Sequence, residues 1–148
     1  MRQRGFTLVE AILVIVIMGV MVAVAMPRLQ QATIKQSLRG SRNTLVGLYS
    51  QTRITAMQRG RPAELHFEGN RAFIIAEPRT LAGVGTHDTI GAVRDLYDEF
   101  GVTLLSDQNT IVVNAKGLAQ AGSEIKVKTM RGSYADSVLI GWYGRLRK

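Results

Sequence analysis

The chain has 148 residues and a mass of 16.2 kDa, the size of one small domain rather than two. It contains no cysteine, which excludes a disulfide framework and thiolate-ligated zinc or iron–sulfur sites. Fourteen arginines and five lysines against eleven carboxylates give +8 and a pI near 10.4, a balance suited to polyanionic partners.

The apolar residues are unevenly spread. From Ala11 to Met26 every residue is apolar or glycine, and extending the segment back to Phe6 adds only Thr7 and Glu10 as polar interruptions. As a helix, Phe6 to Met26 spans roughly 31 Å, close to the ~30 Å hydrocarbon core of a bilayer. Arg2 and Arg4 precede the segment and Arg28 is the first charge after it. The positive-inside rule therefore predicts a cytoplasmic N-terminus and export of everything from Arg28 onward. A cleavable secretory signal competes with this reading, because Ala23-Val24-Ala25 resembles a small-x-small cleavage site. Glu10 weighs against it. A carboxylate inside an apolar span costs about 2.5 to 3.5 kcal/mol and asks for a partner, for which a discarded signal has no use.

Gly5-Phe6-Thr7-Leu8-Val9-Glu10, with a short basic leader before it and an unbroken apolar helix with Pro27 near its end after it, resembles the processing motif of type IV pilins and pseudopilins. The resemblance implies that a prepilin peptidase cuts between Gly5 and Phe6 and N-methylates Phe6. It also implies that Glu10 pairs with the N-terminal ammonium of a neighbouring filament subunit, which supplies the partner that the physics asks for. Beyond the span, from Arg28, seventeen basic and ten acidic residues leave +7, so the basic character belongs to the exported part.

Pro27 lacks an N–H and crowds the preceding turn, so a kink or local melting of the helix is expected there. Beyond it Ile34, Leu38, Ser41, Leu45, Leu48, Thr52 and Ala56 recur at three- and four-residue intervals. They predict an amphipathic continuation with a core-facing stripe, ending near Gly60-Arg61-Pro62. Strands are expected at Ala63 to Phe67 and Ala72 to Ala76, joined by a hairpin turn at Glu68-Gly69-Asn70-Arg71. Gly83, Gly85 and Gly91 suggest a loop, with a helical turn around Ala92 to Phe100. Four more strands are expected at Val102 to Leu105, Thr110 to Asn114, Glu124 to Thr129 and Ser137 to Ile140. Asp107-Gln108-Asn109, Lys116-Gly117 and Arg131-Gly132-Ser133 supply the turns between them. One long helix followed by strands without βαβ alternation predicts an α+β fold with an antiparallel sheet.

The second half is also similar to the GspH and FimT-like minor pilins and pseudopilins. Ser50 to Arg53 leading to Ala56 through Pro62 resembles that branch's helix end and first strand. Ile111 to Leu118, with Asn114-Ala115-Lys116-Gly117, resembles a later strand and turn. Val138 to Arg147 resembles its closing strand and Gly-Arg-x-Arg tail. The implied architecture is the pilin fold: one long helix, transmembrane in its first half, packed on an antiparallel sheet domain. Its expected divisions are a leader at 1–5, a transmembrane and filament-core helix at 6–26, an amphipathic continuation at 27–60 and a β-rich globular domain at 61–148.

No catalytic constellation is expected, and no cofactor or metal. His66 in a strand and His87 in a loop have no metal-ligand spacing and read as structural. Gly83-Val84-Gly85 lacks the rest of a nucleotide-binding pattern. Asp95, Asp98 and Glu99 read as a solvated face before they read as a calcium site. The informative polar segment is the tail. Extended, it projects Arg145 and Arg147 to one side, where two guanidinium groups can engage successive phosphates. In FimT-like minor pilins of natural transformation the Gly-Arg-x-Arg tail binds DNA. The resemblance thus makes Gly144, Arg145, Arg147 and Lys148 DNA-binding candidates, with Lys126, Lys128 and Arg131 extending the positive surface. Trp142 and Tyr143 are candidates for base stacking or for burial. A solubilising tail, or one that pairs with acidic surfaces of other subunits, is the alternative.

The expected protein is therefore a non-enzymatic minor pilin or pseudopilin. It resides in the inner membrane before assembly into a type IV pilus-like filament. Its expected partners are prepilin peptidase, other pilin or pseudopilin subunits, and DNA without sequence specificity. The alternatives are a GspH-like pseudopilin of a type II secretion system and, from another class, a single-span anchored binding domain.

Overall fold

A 52-residue helix, α1 (Leu8–Arg59), dominates the computed structural model, which describes residues 7–76, 88–120, 124–141 and 146–147. Pro27 lies inside α1 and the helix continues through it, so the melting expected there does not occur. What is lost is one hydrogen bond, the one the Ala23 carbonyl would accept from a residue 27 amide. The chain divides into two units, Met1–Lys35 and Gln36–Lys148.

In the first unit the apolar side chains of α1 are bare. Leu8 is 76% exposed, Ile15 69%, Met21 67% and Leu29 63%, so this stretch buries nothing within the chain.

The second unit begins with the amphipathic part of α1. Leu38, Ser41, Leu45, Leu48, Tyr49, Thr52, Thr55 and Ala56 form its buried stripe, which is the expected one with Tyr49 and Thr55 added and Ile34 left half-exposed. The helix stops at glycine. Gly60 takes φ 62°, its amide reaches the Met57 carbonyl, and the Arg61 amide reaches the Ala56 carbonyl at 3.3 Å. That pair of bonds is the Schellman arrangement, and the left-handed residue it needs is one that glycine adopts without a Cβ penalty.

Two four-stranded antiparallel sheets follow, where the sequence suggested one. The first contains β1 (Ala63–Glu68), β2 (Arg71–Ala76), β3 (Asp88–Asp95) and β5 (Thr110–Val113) in the order β3-β2-β1-β5. The second contains β4 (Thr103–Ser106), β6 (Ile125–Arg131), β7 (Tyr134–Ile140) and β8 (Leu146–Arg147) in the order β4-β6-β7-β8. A short helix, α2 (Leu96–Phe100), lies between β3 and β4. The expected loop around Gly91 and helical turn from Ala92 are thus corrected: residues 88–95 pair with β2 as a strand, and only 96–100 are helical. Gly91, at φ 77°, accompanies a shift of register against β2, an irregularity that blunts an exposed edge strand.

Strand alternation puts Ala63, Leu65 and Phe67 in the core and Glu64, His66 and Glu68 outside. The two sheets are tied at the turn between β1 and β2, where Asn70 Oδ1 accepts from the Leu104 amide of β4 at 3.1 Å, while Asn70 O accepts from the Leu96 amide of α2 at 2.9 Å. α1 meets both sheets: Arg42 pairs with Asp136 of β7 at 3.1 Å, while Arg53 donates to the Gly117 carbonyl at 2.8 Å in the turn after β5.

α2 has its own start signal. Asp95 caps it by accepting from the Tyr97 and Asp98 amides and also pairs with Arg71 at 3.4 Å. The Asp98 amide holds the Asp95 carboxyl below the usual carboxylate range against the opposing effect of desolvation, and the Tyr97 amide and Arg71 add to the lowering. A lowered folded-state pKa means that Asp95 stabilises the fold at neutral pH and that this contribution disappears as pH falls through the folded value. Asp95→Ala should accordingly lower Tm by a few degrees at pH 7. The gap to wild type should close in strong acid, as followed by circular dichroism melts across a pH series.

Candidate functional site

Two regions carry the residues that the sequence singles out. At the head of α1, Thr7 Oγ1 accepts from the Glu10 amide at 3.2 Å, and the Ala11 amide reaches the Thr7 carbonyl. Thr7-x-x-Glu10 thus has the spacing of a capping box, with the carboxylate in the first turn, where the helix dipole favours a negative charge. Glu10 is exposed and no cation among the described residues pairs with it. Gly5 and Phe6 lie outside the described residues. From Glu10 to Leu29 the helix presents apolar side chains without a partner among the described residues; its most apolar stretch has a mean hydropathy of 2.9 and is long enough to cross a membrane.

The second region is the outer face of the second sheet. Lys126 lies opposite Leu139, and Leu139 lies opposite Arg147, so these three form one row across β6, β7 and β8. Lys128 begins the next row between Ser137 and Leu105. Directly opposed residues project to the same side, so Lys126, Lys128 and Arg147 share a face. Lys126 and Arg147 are exposed, and Lys128 is half-exposed. Lys126 and Lys128 are separated by about 6.7 Å along the strand and Lys126 and Arg147 by about 9.6 Å across it. Within these four strands no carboxylate among the described residues points to that side, although exposed Glu124, one residue before β6, has the parity of Lys126 and Lys128. Asp136 faces α1, and Asp107 stands at the rim, its amide bonded to the Lys126 carbonyl. Leu105, half-exposed, adds an apolar neighbour.

Arg131 does not extend this surface. It sits on the opposite side of β6, where its guanidinium donates to Ser37 Oγ and to the Phe100 carbonyl and lies against Gly101. Gly144, Arg145 and Lys148, together with Trp142 and Tyr143, lie outside the described residues.

Several other titratable groups are engaged in the fold. His66 Nε2 lies 2.7 Å from Glu64 Oε2, its Nδ1 lies 3.3 Å from Thr110 Oγ1, and its ring stacks on Phe73 at 5.7 Å. No local pattern signals this hydroxyl–imidazole–carboxylate chain, because Thr110 comes from β5. It clips β5, β1 and β2 together on an outer sheet face. Arg94 holds Glu99 with two bonds of 2.6 Å, and Asp95 is committed to its cap. No group of three metal-ligating side chains occurs among the described residues. His87, Gly83 and Gly85 lie outside them.

Comparison with known proteins follows the same two regions. The prokaryotic N-terminal methylation motif matches residues 1–26. No curated protein sequence matches the chain. Among solved structures, a crystal structure of the type IV minor pilin FimU from Pseudomonas aeruginosa aligns with a TM-score of 0.57 and 13% identity, covering 76% of this chain and 88% of that one. A second crystal form of FimU aligns with a TM-score of 0.49 and 12% identity, over 79% and 90% of the two chains. At such identity the likeness concerns the fold. The chain thus carries the prokaryotic N-terminal methylation motif at the head of its long helix and, behind it, an α+β fold similar to that of a type IV minor pilin.

Proposed function

We propose that the chain is a minor subunit of a type IV pilus-like filament, without catalysis of its own. Prepilin peptidase removes residues 1–5 after Gly5 and N-methylates Phe6. Residues 6–26 hold the subunit in the inner membrane with a cytoplasmic N-terminus, then enter the filament core. Residues 27–60 carry the globular part, 61–148, on the filament. Glu10 pairs with the N-terminal ammonium of a neighbouring subunit. The observation that supports this reading is the methylation motif leading into a helix whose first half presents apolar side chains with no partner among the described residues. A bilayer and a bundle of like helices are the two environments that cover such a surface. The chain should therefore be recovered both from membranes and from filaments sheared off the cell surface; confinement to membranes contradicts the reading.

Within that role we assign DNA contact to the outer face of the second sheet. Lys126, Lys128 and Arg147 form a cationic face, and Gly144, Arg145 and Lys148 of the tail are assigned to the same contact from the sequence. On that face the described residues include no aromatic side chain for base stacking, which suits phosphates of any sequence. Such contact falls steeply with salt. Each lost phosphate contact removes about 0.9 from the slope of log K against log salt, so Lys126→Ala with Lys128→Ala and Arg147→Ala should flatten it by about 2.7 for duplex DNA. An unchanged slope rules this surface out. The FimU likeness favours the pilus over the secretion-system alternative, because that relative is a type IV minor pilin.

A further inference from the structure

Glu10 and Arg28 are the first charges met on leaving the apolar stretch at its two ends, since residues 11–27 contain none. They are eighteen positions apart, which at 3.6 residues per turn is five whole turns. Both side chains therefore leave α1 on the same side, separated by roughly 27 Å along its axis. Arg28 is exposed and has no ionic or hydrogen-bond partner among the described residues. Gln30, Gln31, Thr33 and Lys35, all exposed, follow it among Leu29, Ala32 and Ile34, so Arg28 opens the polar part of the helix. One turn below, the Ala23 carbonyl has lost its helical donor to Pro27. Deep in hydrocarbon that loss is expensive, and near the boundary water can make it good.

We propose that Arg28 is a lipid-phosphate site that sets the depth of the helix: its guanidinium engages headgroup phosphates of the outer leaflet while Glu10 stands at the opposite boundary. This rests on the membrane reading above and adds to it a defined register. The ~27 Å between the two charges nearly equals the hydrocarbon thickness of ~30 Å. Guanidinium and phosphodiester are complementary in charge and in bidentate geometry. The register also places Glu10 at the inner edge of the apolar span in the membrane-resident subunit, so its carboxylate is taken fully into an apolar environment only when the helix enters a filament.

The test uses the full chain in vesicles of phosphatidylethanolamine and phosphatidylglycerol. The sequence has no cysteine, so single spin labels at Val20→Cys and Leu29→Cys report depth unambiguously. In wild type the position 20 label is buried and the position 29 label lies at the phosphates. Moving the cation one turn down, Arg28→Leu with Val24→Arg, should bring position 20 nearer the outer surface by about 6 Å, whereas Arg28→Lys should leave the profile in place. If the relocated variant does not insert, Arg28→Leu alone decides, with position 29 sinking by about 3 Å. A profile unchanged by either substitution overturns the proposal and leaves the span standing. A water-exposed label at position 20 in wild type overturns the span as well.

Discussion

Glu10→Ala should leave leader removal and membrane residence intact and should cut recovery of the subunit in sheared filaments by tenfold or more. The effect is large because the carboxylate has no cation among the described residues of its own chain. Inside a bundle of apolar helices it must be neutralised from outside or not enter. Its structural duty is small by comparison. The cap bond to Thr7 Oγ1 comes from the Glu10 amide and survives the substitution, so α1 should keep its first turn. Immunoblots of membrane and sheared fractions separate the two outcomes. Normal recovery of the Glu10→Ala subunit in filaments would remove Glu10 from assembly.

The largest effect on stability is expected at Leu65. Its side chain is fully buried in the middle strand pair of the first sheet, opposite Ile74 on one side and Ile111 on the other, both buried. Leu65→Ala removes apolar surface and leaves a cavity between β-branched neighbours that cannot collapse into it, at a cost of about 2 to 5 kcal/mol. Tm should drop by roughly 10–20 °C. The adjacent Glu64→Ala faces outward, and removing its contact with His66 should cost below about 1 kcal/mol. Thermal melts of the two variants side by side test the assignment of inner and outer faces of β1.

The long helix was the most legible element, because its information is local. The apolar run, the three- and four-residue recurrence from Leu38 to Ala56 and the Gly60-Arg61-Pro62 stop are all read within a few turns. Strands with clear alternation, such as β1 and β6, were legible for the same reason. β3 was not: Asp88-Thr89-Ile90-Gly91-Ala92-Val93-Arg94-Asp95 is mostly exposed, so burial imposes little alternation on it, and it is held chiefly by pairing with β2. β8 has two residues and owes its existence to the edge of β7. The division into two sheets was hidden because a turn such as Asp107-Gln108-Asn109 fixes a change of direction without fixing the partner of either strand.

The candidate site divides along the same line. Lys126 and Lys128 on one face follow from the period of two. The same period sends Arg131, an odd position, to the other face, where Ser37 and the Phe100 carbonyl occupy it. The proximity of Arg147 to Lys126 depends on two successive strand registers and becomes visible only in the folded chain. At the N-terminus the methylation motif is legible in sequence alone, since it is a local run of residues at the head of a helix.

The most direct test of the account is the mass of the protein isolated from membranes of a host with active prepilin peptidase. The expected species begins at Phe6 and carries one additional methyl group on its amine. An intact Met1 to Gly5 leader on the membrane-resident chain would contradict the account.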